Sequence, residues 1–368
     1  MRITWISYDF PEYSIRQVNA LAQEHEVLLV MTSEVEDRLL CELDGSVALY
    51  SFERPRLRQP LRQCSSIRRI VRRIHEFRPD VVHFQNGHLW FNFALPMLSS
   101  YPLVITIHDP RHHEGDAVSR KTPQAVMDFG FRRADHVIVH GQNLVETVAE
   151  EIGIRRDRIH VIPHVAMGET AARVVVPEDN RLVLFFGRIW EYKGLEYLIR
   201  AAPLVAREIP EARFLIAGRG ENLERYLRLM EHPEQFLVHN KWIGDEQRAE
   251  MFQRSAVVVL PYISATQSGV VPVAYTYGKP VVATSVGALP ECVDHGRTGL
   301  LVPPCDQHAL ADAIVTLLRD DGLRREMGEN GLRKLQQEWS AEVVAEMTAE
   351  VYECAIRDRR LAREKQPA

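Results

Sequence analysis

The sequence predicts a parallel α/β protein made of two doubly wound, Rossmann-like sheets. Short apolar runs alternate with helix-period segments along nearly the whole chain, as expected of strands buried on both faces and joined by crossover helices. The alternation lapses after Ile162 and restarts at Leu182, with Gly-, Pro- and Asn-containing sequence between them. At 368 residues the chain has the length of about two domains.

In the first half the apolar runs are Ile3–Ser7, Glu26–Met31, Val47–Phe52, Asp80–Phe84, Leu103–Ile107 and His136–Val139, with a seventh at Ile159–Ile162. Helical periodicity fills Tyr13–Gln23, Ile67–Phe77 and Asn143–Glu151. His164 to Thr170 and Pro177 to Asn180 read as a linker. The second half gives strands at Leu182–Phe186, Arg213–Ala217, Phe236–His239, Ala256–Leu260, Val281–Thr284 and Gly299–Val302. Helices fall at Gly194–Ile209, Asn222–Glu231 and Asp245–Arg254. A helical tail runs from His308 to Arg363, with breaks at Asp320-Asp321-Gly322 and Trp339-Ser340. The predicted domains are 1–170 and 171–345, followed by a C-terminal helix over 346–368.

The net charge of −5 argues against a nucleic-acid binder. Cys41, Cys64, Cys292, Cys305 and Cys354 are scattered, with no CxxC and no His/Cys ligand spacing. Free thiols in a reducing compartment fit this better than a disulfide frame or a zinc site. The N-terminus reads as a first strand and not as a signal peptide. No apolar run approaches the ~20 residues of a membrane span. The expectation is a cytoplasmic protein, with a peripheral contact at the inner membrane face left open.

The segment Pro261 to Glu291 is the most informative. A strand leads to Gln267-Ser268-Gly269-Val270, an apolar helix begins, and a second strand follows at Pro280. Backbone N–H groups at the start of such a helix favour an anion. The first strand of the second half ends in Gly187-Arg188 and continues to Lys193-Gly194. Two cations at a strand's carboxyl edge lie where open α/β sheets bind ligands, and the pair suits a pyrophosphate. In the first half, His108-Asp109 and His83-Phe-Gln85-Asn86 end two strands on the corresponding edge. His108 there suits hydrogen bonding to a sugar or an acceptor.

These stretches together resemble the retaining glycosyltransferases of family 4, whose two-Rossmann-domain architecture is called GT-B. The resemblance runs through Arg78-Pro-Asp-Val-Val-His83, Val104-Ile-Thr-Ile-His-Asp109, Ala134-Asp-His-Val-Ile-Val139, Ile159-His-Val-Ile-Pro163, Gly187-Arg188…Lys193-Gly194, Leu215-Ile-Ala-Gly218-Arg-Gly-Glu221, Gly278-Lys-Pro-Val-Val-Ala-Thr284 and Gly299-Leu-Leu-Val-Pro303. It implies two sheets facing across a cleft and a C-terminal helix that returns to the first domain. It further implies sugar transfer from a nucleotide-diphosphate donor to a glycan, lipid-linked or small-molecule acceptor, with retention, no metal and no cofactor. Arg188 and Lys193 match the family's diphosphate-binding pair, and His108 matches its donor-sugar histidine. Gly187, Asp109, Asn86, Gly218, Gln267, Ser268, Gly269 and Val270 complete the expected substrate contacts.

Three departures from the family pattern stand out. Ala265 and Val273 occupy the places of its two glutamates, and Asp and Glu are absent between Glu250 and Glu291. Tyr8-Asp-Phe-Pro-Glu-Tyr-Ser14 replaces a glycine-rich loop, and His164-Val165 replaces Asn-Gly. The missing carboxylates keep an alternative open, a catalytically silent scaffold that binds a nucleotide sugar or partners an active transferase. A phosphorylase-like enzyme would need a much longer chain. A nicotinamide dehydrogenase would need GxGxxG after the first strand.

Residues 54–77 carry Arg54, Arg56, Arg58, Arg62, Arg68, Arg69, Arg72 and Arg73, with Ile67, Ile70, Val71, Ile74 and Phe77 at helical spacing. This reads either as a basic amphipathic surface for an anionic membrane or as a sheet-packed helix with its arginines in water.

Overall fold

The computed structural model describes residues 1–35, 37–112, 122–168 and 175–364. Glu169 and Thr170, at the end of the expected linker, lie outside the described residues. The chain forms two compact units, each organised on one parallel sheet.

The first unit holds β1 (Arg2–Ser7), β2 (Glu26–Thr32), β3 (Ala48–Phe52), β4 (Val81–Gln85), β5 (Leu103–Ile107), β6 (His136–Val139) and β7 (Ile159–Val161), in the order β3-β2-β1-β4-β5-β6-β7. Ile3 pairs with both Val27 and Val81. Strand order therefore reverses between β1 and β4, the place where doubly wound sheets open a crevice beyond their carboxyl ends. The helix Pro60–Phe77 buries Ile67, Ile70, Val71, Ile74 and Phe77 in this unit's core and leaves Arg62, Arg68, Arg69, Arg72 and Arg73 exposed. Its periodic apolar face is consumed by packing, so the arginines meet solvent, together with Leu61 at the start of the helix.

The last helix, Ala341–Glu364, belongs to the first unit. It is fastened by Tyr352 Oη to His83 Nδ1 at 2.7 Å and by Arg359 to Asp135 at 2.9 Å. Asp306 caps the helix Gln307–Arg319 by accepting from two backbone N–H groups, and Asp320 caps Asp321–Glu338 through the N–H of Leu323.

The second unit holds β8 (Leu182–Phe186), β9 (Arg213–Ala217), β10 (Phe236–His239), β11 (Val257–Leu260), β12 (Val281–Thr284) and β13 (Gly299–Val302), ordered β10-β9-β8-β11-β12-β13. Here the reversal lies between β8 and β11. Glu178 anchors the segment entering β8 by accepting from Lys279 and from the buried Arg324. The helix expected over Asn222–Glu231 is one turn, Glu224–Leu227. Beyond it Leu229 and Met230 donate to carbonyls three residues back, so the chain continues as tight turns.

Candidate active site

The second unit gathers its expected residues at the β8/β11 switch. Gly187 follows β8 and Gly218 follows β9, and the two backbones touch. A Cβ on Gly218, at φ 145°, would stand 1.8 Å from the Gly187 carbonyl oxygen. Gly194, at φ 65°, presses equally closely on the carbonyl of Pro261, the residue after β11. These contacts pull Arg188, Lys193 and the turn after β11 together. Arg188 donates to Tyr192 Oη at 3.2 Å, and Lys193 Nζ lies 3.8 Å from the centre of the Tyr262 ring. Tyr262 Oη meets Ser268 Oγ at 3.1 Å, and Ser268 Oγ accepts from the N–H of Val270 at 3.3 Å. Burial raises the Tyr262 hydroxyl far above its ordinary pKa, so it stays a neutral platform for the lysine.

Gly269 has φ −67°, a value open to any residue, so backbone strain is not what calls for glycine there. The helix behind it, Val270–Thr276, is short. Val270 borders the site, its Cγ2 standing 3.5 Å from a Cβ built on Gly187. Gln267 Oε1 is buried without a hydrogen-bond partner. Of the two family glutamate positions, Val273 is buried in the apolar core. The backbone of Ala265 packs against Gly287, where a Cβ would meet the Ala265 carbonyl oxygen at 1.9 Å. A carboxylate at Val273 would be buried among aliphatic groups and costly to keep charged.

In the first unit, His108 follows β5 and is fully buried. Phe10 stacks on its ring at 4.1 Å, and Tyr13 meets it edge-on at 5.4 Å. Phe10 holds a left-handed backbone, φ 60°, a strained choice for a bulky residue. The bulky replacement of the glycine-rich loop thus acts as a cover over His108. His140, after β6, and His164, after β7, complete a row of imidazoles whose ring centres lie 4.7 Å (His108–His140) and 5.1 Å (His140–His164) apart. Burial and mutual repulsion hold these rings neutral. The pKa of His140 falls to about 3, that of His164 to about 4, and that of His108 well below its ordinary value. Asn86 follows β4 in a left-handed conformation with a buried, unpartnered Oδ1. Asp109 is half-buried and acts electrostatically on His140.

Within the second unit, Gly187, Arg188, Lys193, Gly218, Ser268 and Val270 come together. His108, Asp109 and Asn86 sit on neighbouring strand ends of the first unit. Sequence reasoning passed over Tyr192, Tyr262 and His140. Tyr192 stands at i+4 from Arg188, which was a usable signal. His140 follows β6 directly and Tyr262 lies two residues past β11, but nothing local in the sequence joins either to the other site residues of its unit.

Two family models match the chain, Glycosyl transferases group 1 over residues 180–320 and Glycosyltransferase Family 4 over residues 13–165. An uncharacterized glycosyltransferase of Methanocaldococcus jannaschii is 31% identical over 186 residues, covering 49% of this chain and 47% of that protein. The D-inositol 3-phosphate glycosyltransferase of Pseudarthrobacter chlorophenolicus is 30% identical over 325 residues, covering 79% of this chain and 74% of the relative. Among solved structures, that of Anabaena HepE in complex with UDP superposes with a TM-score of 0.72 at 19% identity, covering 96% of this chain and all of that one.

Proposed function

Since the chain belongs to the group 1, family 4 glycosyltransferases, and is thus a GT-B glycosyltransferase, we propose that it transfers a sugar from a nucleotide-diphosphate donor with retention of configuration and without a metal. The acceptor would be a glycan, a lipid-linked sugar or a small molecule. One observation carries this reading, the Arg188–Tyr192–Lys193–Tyr262–Ser268 cluster at the strand switch of the second unit. It concentrates two cations where a diphosphate leaving group would gain charge, and preorganised charge of this kind lowers a transfer barrier. The UDP bound by HepE supports a uridine nucleotide as the first donor to try. His108 would contact the donor sugar. Asp109, Asn86, Gly187, Gly218, Gln267 and the Ser268-Gly269-Val270 turn would line the substrates.

The test is a panel of nucleotide sugars with soluble and lipid-linked glycan acceptors, read by mass spectrometry with and without a chelator. Transfer with retained anomeric configuration, unaffected by chelation, is expected. Loss of turnover on chelation, restored by a divalent ion, would overturn the metal-independent part.

Among the described residues no helix is long and apolar enough to cross a membrane. The exposed arginines of Pro60–Phe77 would give a mainly electrostatic contact with anionic lipid, since Ile67, Ile70, Val71, Ile74 and Phe77 are buried. Binding to anionic vesicles should therefore weaken as salt rises. Replacing Arg68, Arg69, Arg72 and Arg73 by Gln should reduce co-sedimentation. Equal sedimentation of variant and parent would return this helix to an ordinary solvated surface.

A further inference from the structure

The second sheet ends on one side at β10, whose outer edge pairs with no other strand among the described residues. The Gly218 N–H donates to the His239 carbonyl at 3.0 Å, and Leu237 and His239 stand in register with Leu215 and Ala217 of β9. Alternate residues of a parallel strand turn their backbone groups toward the neighbour. Leu237 and His239 therefore face β9, while the N–H and C=O of Val238 and the carbonyl of Phe236 turn outward. The Phe236 N–H is taken by the Pro233 carbonyl.

Such an edge accepts another strand unless charge, proline or a covering element blunts it. β10 reads Phe236-Leu-Val-His239, with no proline, lysine, arginine or carboxylate. Large apolar side chains are exposed on it and on both flanking segments. Leu237 lies on the strand, Leu227 in the helical turn before it, and Trp242 just beyond it at 73% exposure. Elsewhere in the second unit only Val175 is of this kind among the described residues. The exit of the strand is already fixed. Asn240 Oδ1 accepts from the Gly220 N–H and Asn240 Nδ2 donates to the Glu221 carbonyl, both at 3.1 Å. A preformed strand loses little conformational entropy on pairing.

The charges at the two ends select the occupant. Glu234 is exposed at the entry to β10, and Lys241, exposed at its exit, has no ion pair among the described residues. A second copy of β10, antiparallel about a two-fold axis at Val238, exchanges both outward backbone bonds of that residue with its own image. This register sets Leu237 opposite the second copy's His239, makes the two Leu237 side chains diagonal neighbours, and brings each Glu234 beside the other copy's Lys241. An acidic entry meeting a basic exit is thus self-complementary, as a two-fold contact requires.

We propose that β10 is a dimerisation edge, through which two copies of this chain join their six-stranded sheets into one continuous sheet. The proposal is independent of the donor reading, since neither of its tests uses a nucleotide.

The first test is sedimentation velocity of the full chain over a dilution series. Dimers that dissociate on dilution are expected. Val238→Pro should leave the chain monomeric throughout, and the N–H it removes faces away from β9, so the sheet keeps its own ladder. Lys241→Glu sets like charges together at two symmetric places and should weaken association about tenfold. Adding Glu234→Lys to that variant should restore the parent's affinity. Both positions are exposed, so this exchange also controls for a folding defect in the proline variant. A parent chain that is monomeric at every concentration would overturn the proposal, and so would a dimer indifferent to both Val238→Pro and Lys241→Glu.

The second test reads the edge itself. Hydrogen exchange at the Val238 amide should slow as the parent's concentration rises, while the Leu237 amide, already bonded within the sheet, changes little. Concentration-independent exchange at Val238 in a chain that does dimerise would place the contact elsewhere and overturn the proposal.

Discussion

Replacing Lys193 by alanine is expected to weaken nucleotide-diphosphate binding by about 1.5–3 kcal/mol, roughly ten- to a hundredfold, the range for hydrogen bonds to charged groups. The lysine is held in place rather than free in solvent. Its ammonium rests on the Tyr262 ring at 3.8 Å, and the Tyr262 hydroxyl is tied to Ser268. Little side-chain entropy is then left to lose on binding, which favours the upper part of the range. Arg188→Ala should cost a similar amount, since its guanidinium is oriented by Tyr192 and can bind a phosphate bidentately. Calorimetry with UDP and GDP on both variants checks this. Unchanged affinity in both would remove the diphosphate from this end of the sheet.

Acidification from pH 7 to pH 5 is expected to destabilise the first unit selectively. His83, His108, His140 and His164 are all buried there, and burial lowers the pKa of each, to about 3 for His83 and His140 and about 4 for His164. Unfolded, each titrates near the ordinary value of about 6.5. Below that pH the unfolded chain binds protons that the folded unit refuses. The stability these rings contribute is therefore complete above pH ~6.5 and is lost progressively as pH falls toward their folded values. At pH 5 the linkage amounts to about 2 kcal/mol for each fully neutral-buried histidine. The sum is large against the ~5–15 kcal/mol stability of a typical domain. Hydrogen exchange followed by mass spectrometry should show β4 to β7 losing protection between pH 7 and pH 5, while β8 to β13 serve as an internal reference. Equal pH dependence of the two sheets would contradict the prediction.

The fold was legible because its strands are buried on both faces and so appear as uninterrupted apolar runs. Leu182–Phe186 and Val281–Thr284 are examples, and both occur where the pattern placed them. Asn222–Glu231 was misread because periodicity cannot distinguish a helix from a succession of tight turns around one helical turn. At the site, the stretch from Gly187 to Gly194 was readable because its cations and glycines are contiguous. The imidazole row was not, because its members follow β5, β6 and β7, far apart in sequence, and become neighbours only when those strands align. Phe10 was equally hidden, since nothing in Tyr8-Asp9-Phe10 announces a left-handed residue stacked on His108. Val273, one of the two positions where the resemblance expects a carboxylate, lies in the apolar core, and only its buried neighbours reveal that.

The cations of the second unit are expected to support sugar transfer. The most direct measurement compares turnover by the parent protein with that of the Arg188→Ala/Lys193→Ala double variant across the nucleotide-sugar panel, with folding checked by thermal melting. Transfer by the parent, with a fall of about a hundredfold or more in a folded double variant, is the predicted result. Equal turnover in both proteins, or tight donor binding by the parent with neither transfer nor donor hydrolysis, would contradict it.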